Sequence, residues 1–227
     1  MKQHPLPFNK KDMRAAVGGC DLRGQLDPKS LSWDIFLFGA VEDDKMAETI
    51  QHIITLDQTA VKKPINLLMN SPGGDCSAGY ALIDVMMSAR HPIRTIALGE
   101  VCSMGALIFI AGYPSQRFIG SRAMVLFHPV RDLIEDYSQY IKDRVKAIDY
   151  LEETSAKLMR ARTKLPEKLI EKSLNGELWL SPTEAVKYGV ADHLIEDSKL
   201  DELMKADLPK TKPEAKDTHA KPKSTKT

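Results

Sequence analysis

The chain has little cysteine: three residues among 227, at positions 20, 76 and 102, with no C-x-x-C spacing. An odd number of widely spaced thiols builds neither a disulfide framework nor a zinc site, so they read as reduced and mostly structural. Excess charge of either sign is also missing, with 32 lysines and arginines against 31 acids. That balance argues against a nucleic-acid binder or a membrane-surface protein held by bulk charge. No apolar run approaches the roughly 20 residues that span a bilayer. The opening Met1-Lys2-Gln3-His4-Pro5-Leu6-Pro7 lacks the apolar stretch of a signal peptide. A cytoplasmic location is expected, with neither nucleic acid nor membrane as partner. Histidines fall at 4, 52, 91, 128, 193 and 219 without H-E-x-x-H or close pairing, so no metal site is expected.

What is present divides the chain into three parts. Residues 1–30, with Gly18-Gly19 and Asp27-Pro28, hold no sustained period and are expected to form a poorly ordered or partner-dependent arm. Residues 205–227 carry seven lysines, three acids and three prolines, a basic composition expected of a disordered tail. Between them, residues 31–204 hold the apolar material for one core.

In that body strand-like and helix-like runs alternate, which predicts an α/β fold with a largely parallel sheet. Ile35–Phe38 reads as a strand, followed by a helix with Met46, Ile50, Ile53 and Ile54 on one face and Asp43 or Asp44 as cap. Ile65–Met69 reads as a buried strand ending at the sharp turn Asn70-Ser71-Pro72-Gly73-Gly74-Asp75, before a helix carrying Leu82, Ile83, Met86 and Ala89. Ile93–Leu98 is the next strand, and Ser103–Ala111 an apolar, interior helix. Both loops fall at strand C-termini, the edge at which open α/β sheets build sites. A long helix over about 136–162 places Ile141, Val145, Ile148, Leu151, Leu158 and Met159 near one face, and its length suits projection toward another subunit. Ser181-Pro182-Thr183-Glu184 is a helix-start signature, with Gly189 as the stop.

The chemistry concentrates at Ser103 and His128. Ser103 sits in Gly99-Glu100-Val101-Cys102-Ser103-Met104-Gly105-Ala106, which places its hydroxyl at a helix N-terminus. His128 closes the apolar run Ala123–Phe127. A serine attacks only when a base takes its proton and donors receive the oxyanion. The Gly73-Gly74 loop upstream and a carboxylate downstream complete that set of roles, which points to a serine peptidase. Each residue also has a plain reading: Ser103 as a helix cap, His128 as a satisfied core histidine, Gly73-Gly74 as a tight turn. Cys102 is an alternative nucleophile, but strand neighbours point to opposite faces, so only one of the two can meet the base. The missing first glycine of G-x-S-x-G disfavours an α/β-hydrolase elbow.

Five stretches resemble the ClpP proteolytic-subunit family of caseinolytic proteases. They are Asp34-Ile35-Phe36-Leu37-Phe38-Gly39-Ala40-Val41-Glu42-Asp43, Asn70-Ser71-Pro72-Gly73-Gly74, Cys102-Ser103-Met104-Gly105-Ala106, Phe127-His128-Pro129 and Leu180-Ser181-Pro182-Thr183-Glu184-Ala185-Val186-Lys187-Tyr188-Gly189-Val190-Ala191-Asp192, in the family's order. The resemblance spans about Asp34 to Ile195 and implies the ClpP/crotonase-like spiral of β-α units with a projecting long helix. It implies Ser103 as nucleophile, His128 as general base, and the backbone amides of Gly74 and Met104 as oxyanion hole. The family's third member is usually aspartate. Counting back from Leu180-Ser181, the matching position holds Glu177, whose extra methylene needs room.

The same resemblance implies a serine endopeptidase without cofactor that hydrolyses peptides or unfolded proteins through an acyl-enzyme. It implies a homo-oligomeric ring, a heptamer or double heptamer, whose chamber is fed by an ATP-driven AAA+ unfoldase. Three departures bear on the assembly. Residues 130–135 lack the family's glycine-rich stretch, Asn175-Gly176 lacks its usual arginine, and the N-terminal arm lacks its axial-pore motif. Two other readings stand beside this one: a ClpP-like structural subunit that does not cleave, and a crotonase-like acyl-CoA enzyme.

Overall fold

The alternation in the sequence becomes a parallel sheet with helical connections. The computed structural model describes residues 31–131, 137–196 and 199–207, so the expected arm and nearly all of the expected tail lie outside the described residues. In order the elements are β1 (Asp34–Phe38), α1 (Asp43–Asp57), β2 (Ile65–Ser71), α2 (Cys76–Ser88), β3 (Ile93–Cys102), α3 (Met104–Ala111), β4 (Arg117–Gly120) and β5 (Met124–Phe127). They continue with α4 (Ser138–Arg162), α5 (Glu167–Asn175), β6 (Leu178–Leu180), α6 (Pro182–Lys187), β7 (His193–Ile195) and α7 (Leu200–Lys205). Fold class is as the sequence indicates, a mixed α/β protein.

The sheet runs β1-β2-β3-β4-β7, with β5 joined to β3 and β6 joined to β5. All pairs are parallel except β5 with β6. β3 runs four residues past the expected Leu98 and forks the sheet: Thr95–Ala97 pair with β4, while Glu100–Cys102 pair with β5. This second half carries the chain beyond the main sheet and delivers Ser103 beside the end of β5.

Burial follows the layers. β2 is buried at every position but Asn70, the pattern of a central parallel strand covered on both faces. α3 is buried at all eight positions, as a helix apolar on every side must be. α1 buries Met46, Thr49, Ile53 and Leu56, whereas Ile54 is exposed. The helix therefore turns a slightly different face inward than its isoleucines suggest. Its N-cap position is Glu42, and Asp43 and Asp44 lie in the first turn, where their charge complements the helix dipole instead of capping. At α6 the capping box forms as expected, and Gly189 stops the helix at φ 62°.

Arginines hold the outer elements. Arg94 is only 1% exposed. It donates to Gln116 Oε1 at 2.9 Å, Asn66 Oδ1 at 3.2 Å, and the Leu203 and Ala206 carbonyls at 2.7 and 3.0 Å. It thereby satisfies the carbonyl end of α7, whose Leu200, Leu203 and Met204 pack on Leu68, Ile96 and Ile195. Arg117 clasps Asp192 through Nε and Nη2 at 2.9 and 2.6 Å, a bidentate pair that joins β4 to the turn before β7. Arg162, at the end of α4, donates to the carbonyls of Ile110, Ala111 and Gly112 that α3 leaves open.

α4 has two halves. Beyond Leu151 it buries Ala156 and Met159, and Ser155 Oγ meets Tyr80 Oη of α2 at 2.8 Å. Before Leu151, Tyr140, Val145 and Tyr150 are exposed. Among the described residues no helix is long and apolar enough to cross a membrane.

Candidate active site

Ser103 occupies the N-cap position of α3, yet its side chain makes no capping hydrogen bond. The plain reading of this serine as a helix cap is not what the structure shows. Its backbone is unusual: φ is +56° and ψ −126°, a conformation that costs a non-glycine residue roughly 1–3 kcal/mol. Neighbours enforce it. The Ser103 amide donates to the Leu126 carbonyl of β5 at 2.8 Å, and the Ser103 carbonyl accepts from Ala106 at 3.0 Å. The fork in β3 thus fixes where the hydroxyl stands.

The glycine loop lies directly against this turn. Gly73 has φ 92° and Gly74 φ 150°. A Cβ on Gly74 would meet the Val41 carbonyl at 2.3 Å, so packing against the chain that follows β1 demands glycine there, whatever binds. The Val41 amide donates to the Gly73 carbonyl at 2.8 Å, and the Val41 carbonyl accepts from the Asp75 amide at 2.9 Å. The Gly74 N–H between them has no partner among the described residues. Met104, the first residue of α3, likewise has an amide with no acceptor inside its helix. Its side chain is buried against Gly79 of α2 and contributes packing only.

His128 follows β5 by one residue and is half-buried. Its Nδ1 lies 2.6 Å from the Pro129 carbonyl. A carbonyl can only accept, so this contact puts the proton on Nδ1 and, in the neutral ring, leaves a lone pair on Nε2. β5 and β6 pair Phe127 with Leu178, so His128 and Glu177 are the residues that flank this last pair.

The Glu177 carboxylate, however, is engaged elsewhere. It accepts from Trp179 Nε1 at 3.0 Å and from Arg131 Nη2 at 3.1 Å. The Trp179 hydrogen bond foremost, then the Arg131 cation and the field of His128, hold this carboxyl below the usual glutamate range.

One cavity of about 540 Å³ collects Ser103, His128, Gly74 and Met104, four of the five residues the sequence singles out. Glu177 is not among the residues that line it. Leu107, Phe127, Ile148 and Leu151 give the cavity an apolar wall, and Arg131 and Arg144 add cations. Among the described residues no hydrogen bond joins Ser103 Oγ to His128. Cys102, the alternative nucleophile, is buried and does not line the cavity; burial pushes its thiol up to about 11, so it stays protonated near neutrality. Sequence reasoning did not find Arg131 or Trp179. Their only signals are proximity, three residues after His128 and two after Glu177.

Fold and site together define a class: an α/β protein in which a strained serine, a histidine and a glycine-loop amide face one cavity at the C-terminal edge of a parallel sheet. Comparison with known proteins gives the family. Residues 29–198 match the Clp protease family, and the chain belongs to it. Among curated relatives it is similar to the ATP-dependent Clp protease proteolytic subunit 2 of Treponema pallidum (strain Nichols). The two are 28% identical over 176 residues, covering 78% of this chain and 85% of the relative. Family membership supports a Clp-type peptidase.

Proposed function

We propose that the protein is a serine endopeptidase that cleaves peptide bonds through an acyl-enzyme. The observation that carries this reading is the left-handed Ser103, held at the head of α3 in a cavity that His128, Gly74 and Met104 also line. In the first half of the reaction, His128 Nε2 takes the Ser103 proton as the hydroxyl oxygen attacks the substrate carbonyl. The Gly74 and Met104 N–H groups receive the oxyanion without reorganising, because backbone packing fixes both. His128 then gives its proton to the leaving amine. In the second half, water attacks the ester by the same route and Ser103 recovers its proton. Glu177 is the group that steadies the imidazolium.

Family membership and the name of the Treponema relative support a wider proposal. The subunits form a homo-oligomeric ring, a heptamer or double heptamer, enclosing the sites in a cytoplasmic chamber supplied with unfolded chains by an AAA+ unfoldase. Mass photometry is expected to find such rings, and monomers only would overturn the chamber.

A second reading, a ring subunit that does not cleave, is favoured by one observation: the Glu177 carboxylate rests on Arg131 and Trp179. Fluorophosphonate labelling read by intact mass decides between the two. Peptidase activity predicts one adduct at Ser103 in the wild type and none in Ser103→Ala or His128→Ala, with Glu177→Ala reporting on the third position. No adduct on a folded, assembled wild type favours the structural subunit.

A further inference from the structure

Among the described residues Glu177 makes no hydrogen bond to His128, and two side chains, Trp179 and Arg131, hold its carboxylate. Both oxygens of Glu177 are occupied: Oε1 by Arg131 Nη2 at 3.1 Å and Oε2 by Trp179 Nε1 at 3.0 Å. The His128 Nδ1–H in turn donates to the Pro129 carbonyl. The backbone brings acid and imidazole near each other, because β5 and β6 end on the Phe127–Leu178 pair and His128 and Glu177 are the next residue on either side.

Side-chain rotation would carry the carboxylate from one partner to the other. The Arg131 and Glu177 side chains are 72% and 48% exposed, so neither is locked by packing. Exposed side chains change rotamer in picoseconds to nanoseconds, far faster than turnover. Exchange of the carboxylate between Arg131 and His128 would be fast on that scale, and the cation would bias it by its attraction for the carboxylate. While Arg131 holds Glu177, the imidazolium that forms during acyl transfer faces a carbonyl dipole instead of an anion, and Arg131 adds a like charge at the cavity wall.

Resting on the peptidase reading, we infer that Arg131 is a positioning residue that restrains this site: it competes with His128 for the Glu177 carboxylate and keeps part of the population with an unassisted base. The reaction is unchanged by it. What changes is the fraction of molecules whose imidazole is backed by a carboxylate.

Fluorophosphonate labelling kinetics of the full-length chain test this. Arg131→Ala is expected to raise the maximal labelling rate at Ser103 about two- to fivefold, the span an exposed ion pair supports, with little change in the half-saturating reagent concentration. Arg131→Lys, which keeps the cation, is expected to stay near the wild type. In a Glu177→Gln background, which removes the group being competed for, Arg131→Ala is expected to change nothing, whereas a purely steric or folding role would persist there. A wild type that labels at Ser103 and an Arg131→Ala variant that labels no faster overturn the restraint and leave the peptidase reading intact. A gain that survives in the Glu177→Gln background overturns it as well. Labelling of neither protein at Ser103 removes the peptidase reading and this inference with it.

Discussion

A Cβ on Gly73 would stand 2.5 Å from the Cβ of Ser103. It would also lie 2.8 Å from the Cys102 carbonyl and 3.0 Å from the Met104 amide nitrogen. Two left-handed residues from distant parts of the chain therefore abut, Gly73 at φ 92° and Ser103 at φ 56°. The glycine loop is a wall of the serine turn.

Gly73→Ala is expected to act on both counts. The added methyl meets backbone, which cannot rotate away, and the positive φ disfavours alanine. Together these are expected to cost about 2–4 kcal/mol in urea denaturation. Displacement of the turn is expected to slow fluorophosphonate labelling of Ser103 at least tenfold. Gly120→Ala is the control, because a Cβ there meets its neighbours at an ordinary 3.5 Å.

Asp75 caps α2 beside the cavity, accepting from the Ala78 amide and the Ser77 hydroxyl, both at 2.8 Å. The Ala78 hydrogen bond foremost holds the carboxyl below its ordinary 3.8. With the folded value depressed, the cap's contribution is full above that ordinary value and is lost as the pH falls through the folded one. Asp75→Ala is expected to cost about 1 kcal/mol at pH 7 and less toward pH 3, checked by denaturation at both.

Cys102 is expected to resist alkylation at pH 8 in the folded protein while the partly exposed Cys76 reacts, with peptide mapping as the readout. Burial raises the Cys102 thiol from 9.0 to about 11, so the unfolded chain loses this proton first as the pH climbs. The contribution is fully present below 9.0 and fades as the pH rises through 11. Stability is thus expected to decline across that window, less so in Cys102→Ala. That variant should keep its Ser103 adduct.

Arg94→Ala is expected to free α7. It leaves the Leu203 and Ala206 carbonyls without their donor and is expected to cost about 2–4 kcal/mol. Hydrogen exchange should show lost protection across residues 200–206. Arg94→Met fills the volume and should recover part of the global stability without restoring that protection.

How much of this was legible from residues alone depends on the range of the interaction. The capping box at Ser181, the stop at Gly189 and the turn at Gly73-Gly74 are decided within a few residues, and each forms where the sequence places it. The α/β alternation is equally local, since it follows from periods of 2 and 3.6 in apolar residues. Ile54 shows the limit. Its neighbour Ile53 is buried and it is exposed, because the sheet and α2 select which side of α1 turns inward. Arg94 shows it again: a strand arginine reads as a surface residue, and it is buried only because Gln116, Asn66 and a helix more than a hundred residues away supply acceptors.

The α/β class, the glycine turn, and a serine and a histidine at the ends of apolar runs follow from sequence, because each is written in local pattern and in residue type. The fork of β3, the left-handed φ of Ser103 and the β5–β6 pairing that brings Glu177 near His128 come from tertiary structure alone. Only there, too, is it settled that the Glu177 carboxylate turns to Arg131 and Trp179. Strand register and the choice among competing partners depend on which distant segments meet, and no local preference encodes that meeting.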